Sequence, residues 1–327
     1  MDKTRVPTPA GQKPGTATPG VATPGAALLD QILARDNLAA AWEAVAANEG
    51  MPGVDRVAIG RYARNWEERV LTLAEEVRGN RYRPSRLRVR FIPKRDGGQR
   101  RISIPTVADR VLQRATMQVL LPRLDRKFLS CSYGHRPKRG VAQAVAAVIR
   151  YRDRGLRYVL EADIDDCFGS LDHAILLRLL EQEVSDWRVL QLMRWWLDVG
   201  RPQAGVARGI ALGMPISPLW ANLYLHEMDW QLVRNRWALV RYADDFVVLA
   251  ASAEAGELAR EVVSDTLAGL KLRLEPTKTR VTSFSDGFKY LGVRFQGDSY
   301  SFLWEEKRIT VQGDFDWLWS EQIVCEY

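Results

Sequence analysis

The chain has 327 residues, 46% hydrophobic and 27% charged, which is enough apolar material for two or three compact units of an ordinary globular protein. No run of 18 apolar residues and no charged-then-apolar leader appears, so neither a spanning helix nor a secretion signal is expected. Three dispersed cysteines (Cys131, Cys167, Cys325) without a C-x-x-C pair give no disulfide framework or zinc site, and a reducing cytoplasm is the expected compartment.

Residues 1–25 carry five prolines and repeated T-P-G with almost nothing to bury, which predicts a disordered leader. Apolar residues at helical spacing predict a helix within 26–50, ended by Gly50-Met51-Pro52-Gly53, and a second over about 59–78. Extended stretches follow at 86–92 and 100–104, then helices at about 107–121 and 141–151. "LRYVLEADI" (156–164) reads as a strand ending on carboxylates. Helices are expected at 171–183, 186–198, 219–230 and 254–270. Strands are expected at 237–242, 246–250, 280–284, 288–295 and 300–311. Hairpins mixed with helices, without regular β-α alternation or a 20–50-residue repeat, predict an α+β fold.

The formal charge of +7 is concentrated. Residues 81–101, "RYRPSRLRVRFIPKRDGGQRR", hold eight arginines, one lysine and one aspartate. Arginines alternate there with Leu87, Val89 and Phe91, so the expectation is a strand with one basic face and one buried face. Such a strand, leading into a Gly97-Gly98 turn, suits contact with phosphates.

Two predicted strand ends are acidic. "EADIDD" closes one with Asp163, Asp165 and Asp166, and "RYADDFVVLA" turns on Asp244 and Asp245. In isolation the second is a polar hairpin turn. Brought to one edge of a sheet, the carboxylates would repel unless a cation lay between them, and hard oxygen donors select Mg²⁺ or Mn²⁺.

"YADD" flanked by hydrophobic residues resembles the catalytic hairpin of reverse transcriptases, and further blocks resemble the bacterial, group II intron-like branch in the same order. These are "GVDRVAIGRYARNWEERVLTLAEEVRGNRYRP", "FIPKRDGGQRRISIPTVADRVLQRA", "SYGHRPKRGVAQA", "LEADIDDCFGSLDH", "GIALGMPISPLWANLYL", "GLKLRLEPTKTRV" and "FKYLGVRF". The resemblance covers roughly 50–295. It implies a right-hand polymerase fold, with helices and fingers over 26–155 and an antiparallel, helix-flanked palm over 156–298. Residues 299–327 would be a C-terminal hairpin and tail, the thumb being short or absent.

By that resemblance Asp163, Asp244 and Asp245 match the catalytic, metal-binding triad for two Mg²⁺ ions, with Mn²⁺ able to substitute. Asp163 and Asp244 would bridge the ions, and Asp245 would support them. Lys94 and Arg100 match the hairpin residues that grip the triphosphate, and Phe168 the ring that meets the nucleotide sugar and rejects a 2′-hydroxyl. Gly213 would let the backbone approach the incoming base pair, and Ser217-Pro218 would start a helix. Lys278 matches a lysine that either protonates pyrophosphate or orders the palm. Arg136 would lie near the template, and Tyr290, Leu291 and Gly292 resemble the primer-grip hairpin. Asp165 and Asp166 are expected outside the ligand set. The chain departs from the family at Arg101 (usually Pro), His135 (usually Phe) and Leu212 (commonly Gln). His226, without a completed H-E-x-x-H pattern, reads as a helix-surface residue.

The implied activity is RNA-directed DNA synthesis from a primer 3′-hydroxyl, with an RNA template, a DNA or RNA primer and dNTPs as partners. A maturase or endonuclease module is not expected from the length. Relatives of this size suggest CRISPR spacer acquisition or phage defence, with an adaptation integrase or another protein supplying a thumb. The alternatives are a non-catalytic RNA-binding protein of the same fold and a template-independent DNA synthesiser.

Overall fold

The computed structural model describes residues 27–93, 98–202, 205–304 and 307–310. Four helices open it: α1 (Leu28–Ile32), α2 (Arg35–Ala47), α3 (Ile59–Ala63) and α4 (Trp66–Arg78). Strands β1 (Arg88–Pro93) and β2 (Gln99–Ile104) form an isolated antiparallel hairpin, followed by α5 (Val107–Asp125) and α6 (Val141–Asp153). Then come β3 (Tyr158–Asp163), α7 (Cys167–Ser170), α8 (His173–Glu183), α9 (Trp187–Gly200) and α10 (Ser217–Arg234). Strands β4 (Ala238–Tyr242) and β5 (Asp245–Ala250), α11 (Ala253–Gly269) and β6 (Arg280–Ser283) complete a four-stranded antiparallel sheet of order β4-β5-β3-β6. A second antiparallel sheet holds β7 (Phe288–Tyr290), β8 (Val293–Gln296), β9 (Ser299–Trp304) and β10 (Lys307–Thr310) in hairpin order. This is the fingers-and-palm arrangement of a right-hand polymerase.

The central strands read as continuous apolar runs because both faces of the sheet are covered. Leu160, Ala162, Phe246 and Val248 face one core, which they share with α5, α8, α10 and α11. Val159, Val247 and Leu249 face the other, closed by α6, by Phe284 in the turn after β6, and by Phe288 and Phe295 of the second sheet. A buried polar chain ties α9 to α5: Trp196 donates to the Tyr82 hydroxyl (3.0 Å), which donates to Asp109 (2.7 Å). Asp109 also receives the Thr106 hydroxyl, while Thr106 caps α5 by accepting from the Asp109 amide at 3.2 Å.

Three expectations change. The basic strand lacks a buried face, since Phe91 is 60% and Ile92 45% exposed. Among the described residues the hairpin pairs with no third strand. The stretch 288–295 is two strands rather than one, because Leu291 (φ 49°) and Gly292 (φ 73°) make a turn with both central residues left-handed. The boundary expected at 298 falls inside a continuous sheet, since β8 pairs with β9. The expected leader (1–25) and most of the expected C-terminal tail lie outside the described residues. Among the described residues, no helix is long and apolar enough to cross a membrane.

Candidate active site

The antiparallel register places Asp163 directly opposite Asp245, with Ala162 opposite Phe246 and Glu161 opposite Val247. Side chains of a directly opposed pair share a face, so Asp163 and Asp245 sit together at the open end of the sheet. Asp244 occupies the two-residue turn between β4 and β5, beside Ala243 at φ 57°. A non-glycine residue there stores about 1 kcal/mol of strain or more, so the turn must be held from outside. Gly134 supports it: a Cβ on Gly134 would lie 2.4 Å from the Ala243 nitrogen. The Tyr133 amide donates to the Arg241 carbonyl and the Arg241 amide to the Cys131 carbonyl, each at 2.8 Å.

Arg241 is the residue that sequence reasoning missed. Its side chain and that of Asp229 are fully buried, paired through Nε–Oδ1 (2.7 Å) and Nη2–Oδ2 (2.5 Å). Nη1 donates to Asn222 Oδ1 (3.1 Å) and to the Ala243 carbonyl (2.9 Å), inside the turn that carries Asp244. Asn222 in turn donates to the Gly134 carbonyl at 2.8 Å. The only sequence signal was a charged residue within an apolar strand, the same kind of signal that exposed the neighbouring aspartates.

Electrostatically the site is strained without a counter-charge. Burial raises the Asp244 pKa above the usual carboxylate value, and Asp163 adds repulsion, while Arg100 and His135 pull the other way. Asp245 reaches solvent at the sheet end, yet desolvation by its surroundings and repulsion from Asp163, Asp244 and Glu161 push it up to about 7. Lys278 Nζ lies 2.6 Å from Asp163 Oδ2. Its loop is shaped by Glu275, which donates its amide to the Asp163 carbonyl and accepts from the Thr277 hydroxyl. Among the described residues, no group of three His, Cys, Asp or Glu side chains is disposed to hold a metal ion as it stands. The donor chemistry nonetheless fits a hard divalent cation: mutual repulsion and burial raise the pKa of Asp244 and Asp245, and such a cation would take over from Lys278 the neutralisation of Asp163.

The other expected residues divide. Arg100 in β2 carries charge felt by Asp244, whereas Lys94 lies outside the described residues. Phe168 and Gly213 line one cavity of about 400 Å³ with His135 and Leu212. The glycine at 213 is required by the fold: φ is +103°, and a Cβ would lie 2.4 Å from the Ser103 carbonyl oxygen, where the Ser103 amide donates to Leu212 (2.7 Å). Gly292 is needed for its φ of +73°, since a Cβ there would meet nothing within 4 Å. Arg136 is not free to reach a template. It is buried, paired with Asp125 (2.6 Å), and its remaining donors go to the carbonyls of Leu129, Ser132, Asp125 and Phe128. Tyr290 is likewise buried, with its hydroxyl donating to the Val240 carbonyl (3.1 Å), so it braces the palm sheet rather than presenting a ring to a primer. Asp165 pairs with Arg273 at 2.5 Å, and Asp166 turns its carboxylate over Gly169. His226 is half-buried against the Phe128 ring, not on the helix surface.

Residues 92–295 match the family model described as reverse transcriptase (RNA-dependent DNA polymerase). The chain belongs to the reverse transcriptase family. It is an RNA-directed DNA polymerase by class, of the group II intron-like type. It is 32% identical to protein YkfC of Escherichia coli over 286 residues, covering 74% of this chain and 75% of that one. It is 30% identical to the group II intron-encoded protein LtrA of Lactococcus lactis over 168 residues, half of this chain and 28% of the relative. In fold it is similar to telomerase from Candida albicans, with a TM-score of 0.52 and 13% identity over 75% of this chain and 50% of that one. The chain thus spans most of one curated relative but little more than a quarter of the other.

Proposed function

We propose that this reverse transcriptase extends a primer 3′-hydroxyl with dNTPs on an RNA template, using Asp163, Asp244 and Asp245 to hold Mg²⁺. The observation that carries the reading is the opposition of Asp163 and Asp245 across the sheet, beside Asp244 in a turn clamped by Arg241. When bound, the metal supplies activation of the attacking hydroxyl and neutralisation of the leaving pyrophosphate. Arg100 adds a guanidinium for the triphosphate on the Asp244 side. Phe168 lines the cavity beside Gly213, and on this reading its ring would stand against a ribose 2′-hydroxyl. Lys278 neutralises Asp163 before the substrate arrives, and on this reading would either order the palm through that pair or give a proton to pyrophosphate as it leaves.

The setting proposed with this activity is CRISPR spacer acquisition or phage defence, and co-purification with an adaptation integrase would test the first. The activity itself is tested with poly(rA), oligo(dT), dTTP and Mg²⁺. The protein should incorporate dTTP, and Asp244→Asn should abolish incorporation while leaving RNA binding intact. Binding without extension would overturn the proposal in favour of a non-catalytic RNA-binding protein. Extension in the absence of template would overturn it in favour of template-independent synthesis.

A further inference from the structure

Among the described residues, Trp187 is the large apolar side chain most open to water, at 65% exposure. It opens α9, and Gln191 and Trp195 follow it at intervals of four, which puts the three on one face of the helix. Trp195 is half-buried against the core, and the Arg83 guanidinium lies 4.1 Å over its ring. That guanidinium is held in place by donating to the carbonyls of Asn80 (3.0 Å) and Tyr82 (2.7 Å). The result is a ridge about 12 Å long with an indole at each end. Of the neighbouring arginines, Arg188 pairs with Asp186 (3.0 Å) and Arg194 with Glu181 (2.5 Å). Nucleic-acid backbones are held by cations free to replace their counter-ions, so this face suits an uncharged ligand that packs on rings.

The chain carries such a ligand, and the described residues begin beside Trp187. The Leu29 amide, in α1, donates to Asp186 Oδ2 at 3.1 Å, and Asp186 also caps α9 by accepting from the Arg188 amide (3.1 Å). Residues 1–26 therefore join the fold next to the exposed indole. They contain Pro7, Pro9, Pro14, Pro19 and Pro24, and no charged residue occurs from Pro14 to Leu29. Such a composition has too little to bury to fold by itself, but a proline-rich segment needs no core to dock. The polyproline helix has no internal hydrogen bonds and little freedom to lose, and aromatic surfaces recognise it. In that form Pro19 and Pro24 would stand about 15 Å apart, close to the separation of the two indoles. The stretch from Pro24 to Leu29 reaches at most about 18 Å, enough to bring Pro24 onto Trp187. So short a tether gives an effective concentration of about 1 mM, at which a weak contact is already populated. We propose that residues 14–26 dock in polyproline form across Trp187 and Trp195, so that the leader covers the outer face of α9. This assignment is independent of the polymerase reading above.

The test is an intramolecular crosslink in the full chain. Ala22→Cys and Gln191→Cys are introduced together with Cys325→Ser, Cys131 and Cys167 being buried. A short bismaleimide is added, and the product is sized and mapped by mass spectrometry. The expected result is a monomer crosslinked between positions 22 and 191. Trp187→Ala should lower the yield roughly five- to tenfold, whereas Trp230→Ala, which removes another exposed indole, should leave it unchanged. Circular dichroism checks that each variant folds. Pro19→Gly with Pro24→Gly alters only the leader and should cause the same loss, which keeps the test decisive if Trp187→Ala does not fold. A yield unchanged by both sets of substitutions would overturn the proposal. A crosslink found only in dimers, and rising with protein concentration, would overturn it in favour of a second copy's leader. No crosslink in the parent, with weaker binding of single-stranded RNA by Trp187→Ala, would overturn it in favour of RNA.

Discussion

The buried Arg241–Asp229 pair allows stability and catalysis to be separated. Asp229→Asn removes the counter-charge from a guanidinium with no access to water, a class of change that costs about 3–5 kcal/mol. At about 2–4 °C per kcal/mol for a chain of this size, the melting temperature should fall by about 6–20 °C. Replacing both members, Arg241→Met with Asp229→Leu, removes the two charges together. That exchange is often neutral or stabilising, here offset by the unpaired Asn222 Oδ1, so stability should return to within about 2 kcal/mol of the parent. Extension should not return with it. The Ala243 carbonyl loses a charged donor worth about 1.5–3 kcal/mol, and the strained turn carrying Asp244 loses its restraint. Were that energy wholly expressed in the barrier, primer extension would drop roughly 10- to 100-fold. Circular dichroism melts and extension assays run well below the melting temperature check both halves. A double variant that is stable and fully active would refute the clamp, because the turn would then hold Asp244 without Arg241.

Phe168→Ala should raise incorporation of ribonucleotides relative to deoxyribonucleotides by about tenfold or more, measured as a ratio of kcat/KM values; an unchanged ratio removes the gate. Gly213→Ala should melt several degrees lower and extend poorly, since the new methyl lies against the Ser103 carbonyl and the left-handed φ adds about 1 kcal/mol. A variant as stable as the parent would show that the β2 contact gives way easily. The raised carboxylate pKa of Asp245 sets a sign for pH. The folded state retains a proton that an unfolded aspartate has lost by about pH 5, so metal-free stability should fall as pH rises through about 7. Protons and Mg²⁺ compete for the same oxygens, so the Mg²⁺-induced rise in melting temperature should be larger at pH 8 than at pH 6. An equal rise at both values in scanning fluorimetry would dissociate Asp245 from the metal site.

The local pattern along the chain was sufficient for most elements. Period-two and helical spacing placed the strands and helices near their observed positions, and the charges interrupting apolar strands marked Asp163, Asp244 and Asp245. These signals are legible because strand identity, turn chemistry and the cost of an ion among apolar neighbours are properties of short stretches. What packs against a side chain is a different matter. Phe91 alternates as a buried residue does, yet it is largely exposed. Arg136 looks like a free cation, but Asp125 and four carbonyls surround it. Gly213 serves the Ser103 carbonyl more than a hundred residues away. The opposition of Asp163 to Asp245, and the clamp from Asp229 through Arg241 to the turn, depend on strand register and on a helix that crosses beneath it. Chain order therefore determined which residues could do chemistry, and tertiary packing decided which of them remain free to do it, because a buried donor spends its hydrogen bonds on the nearest acceptor the fold provides.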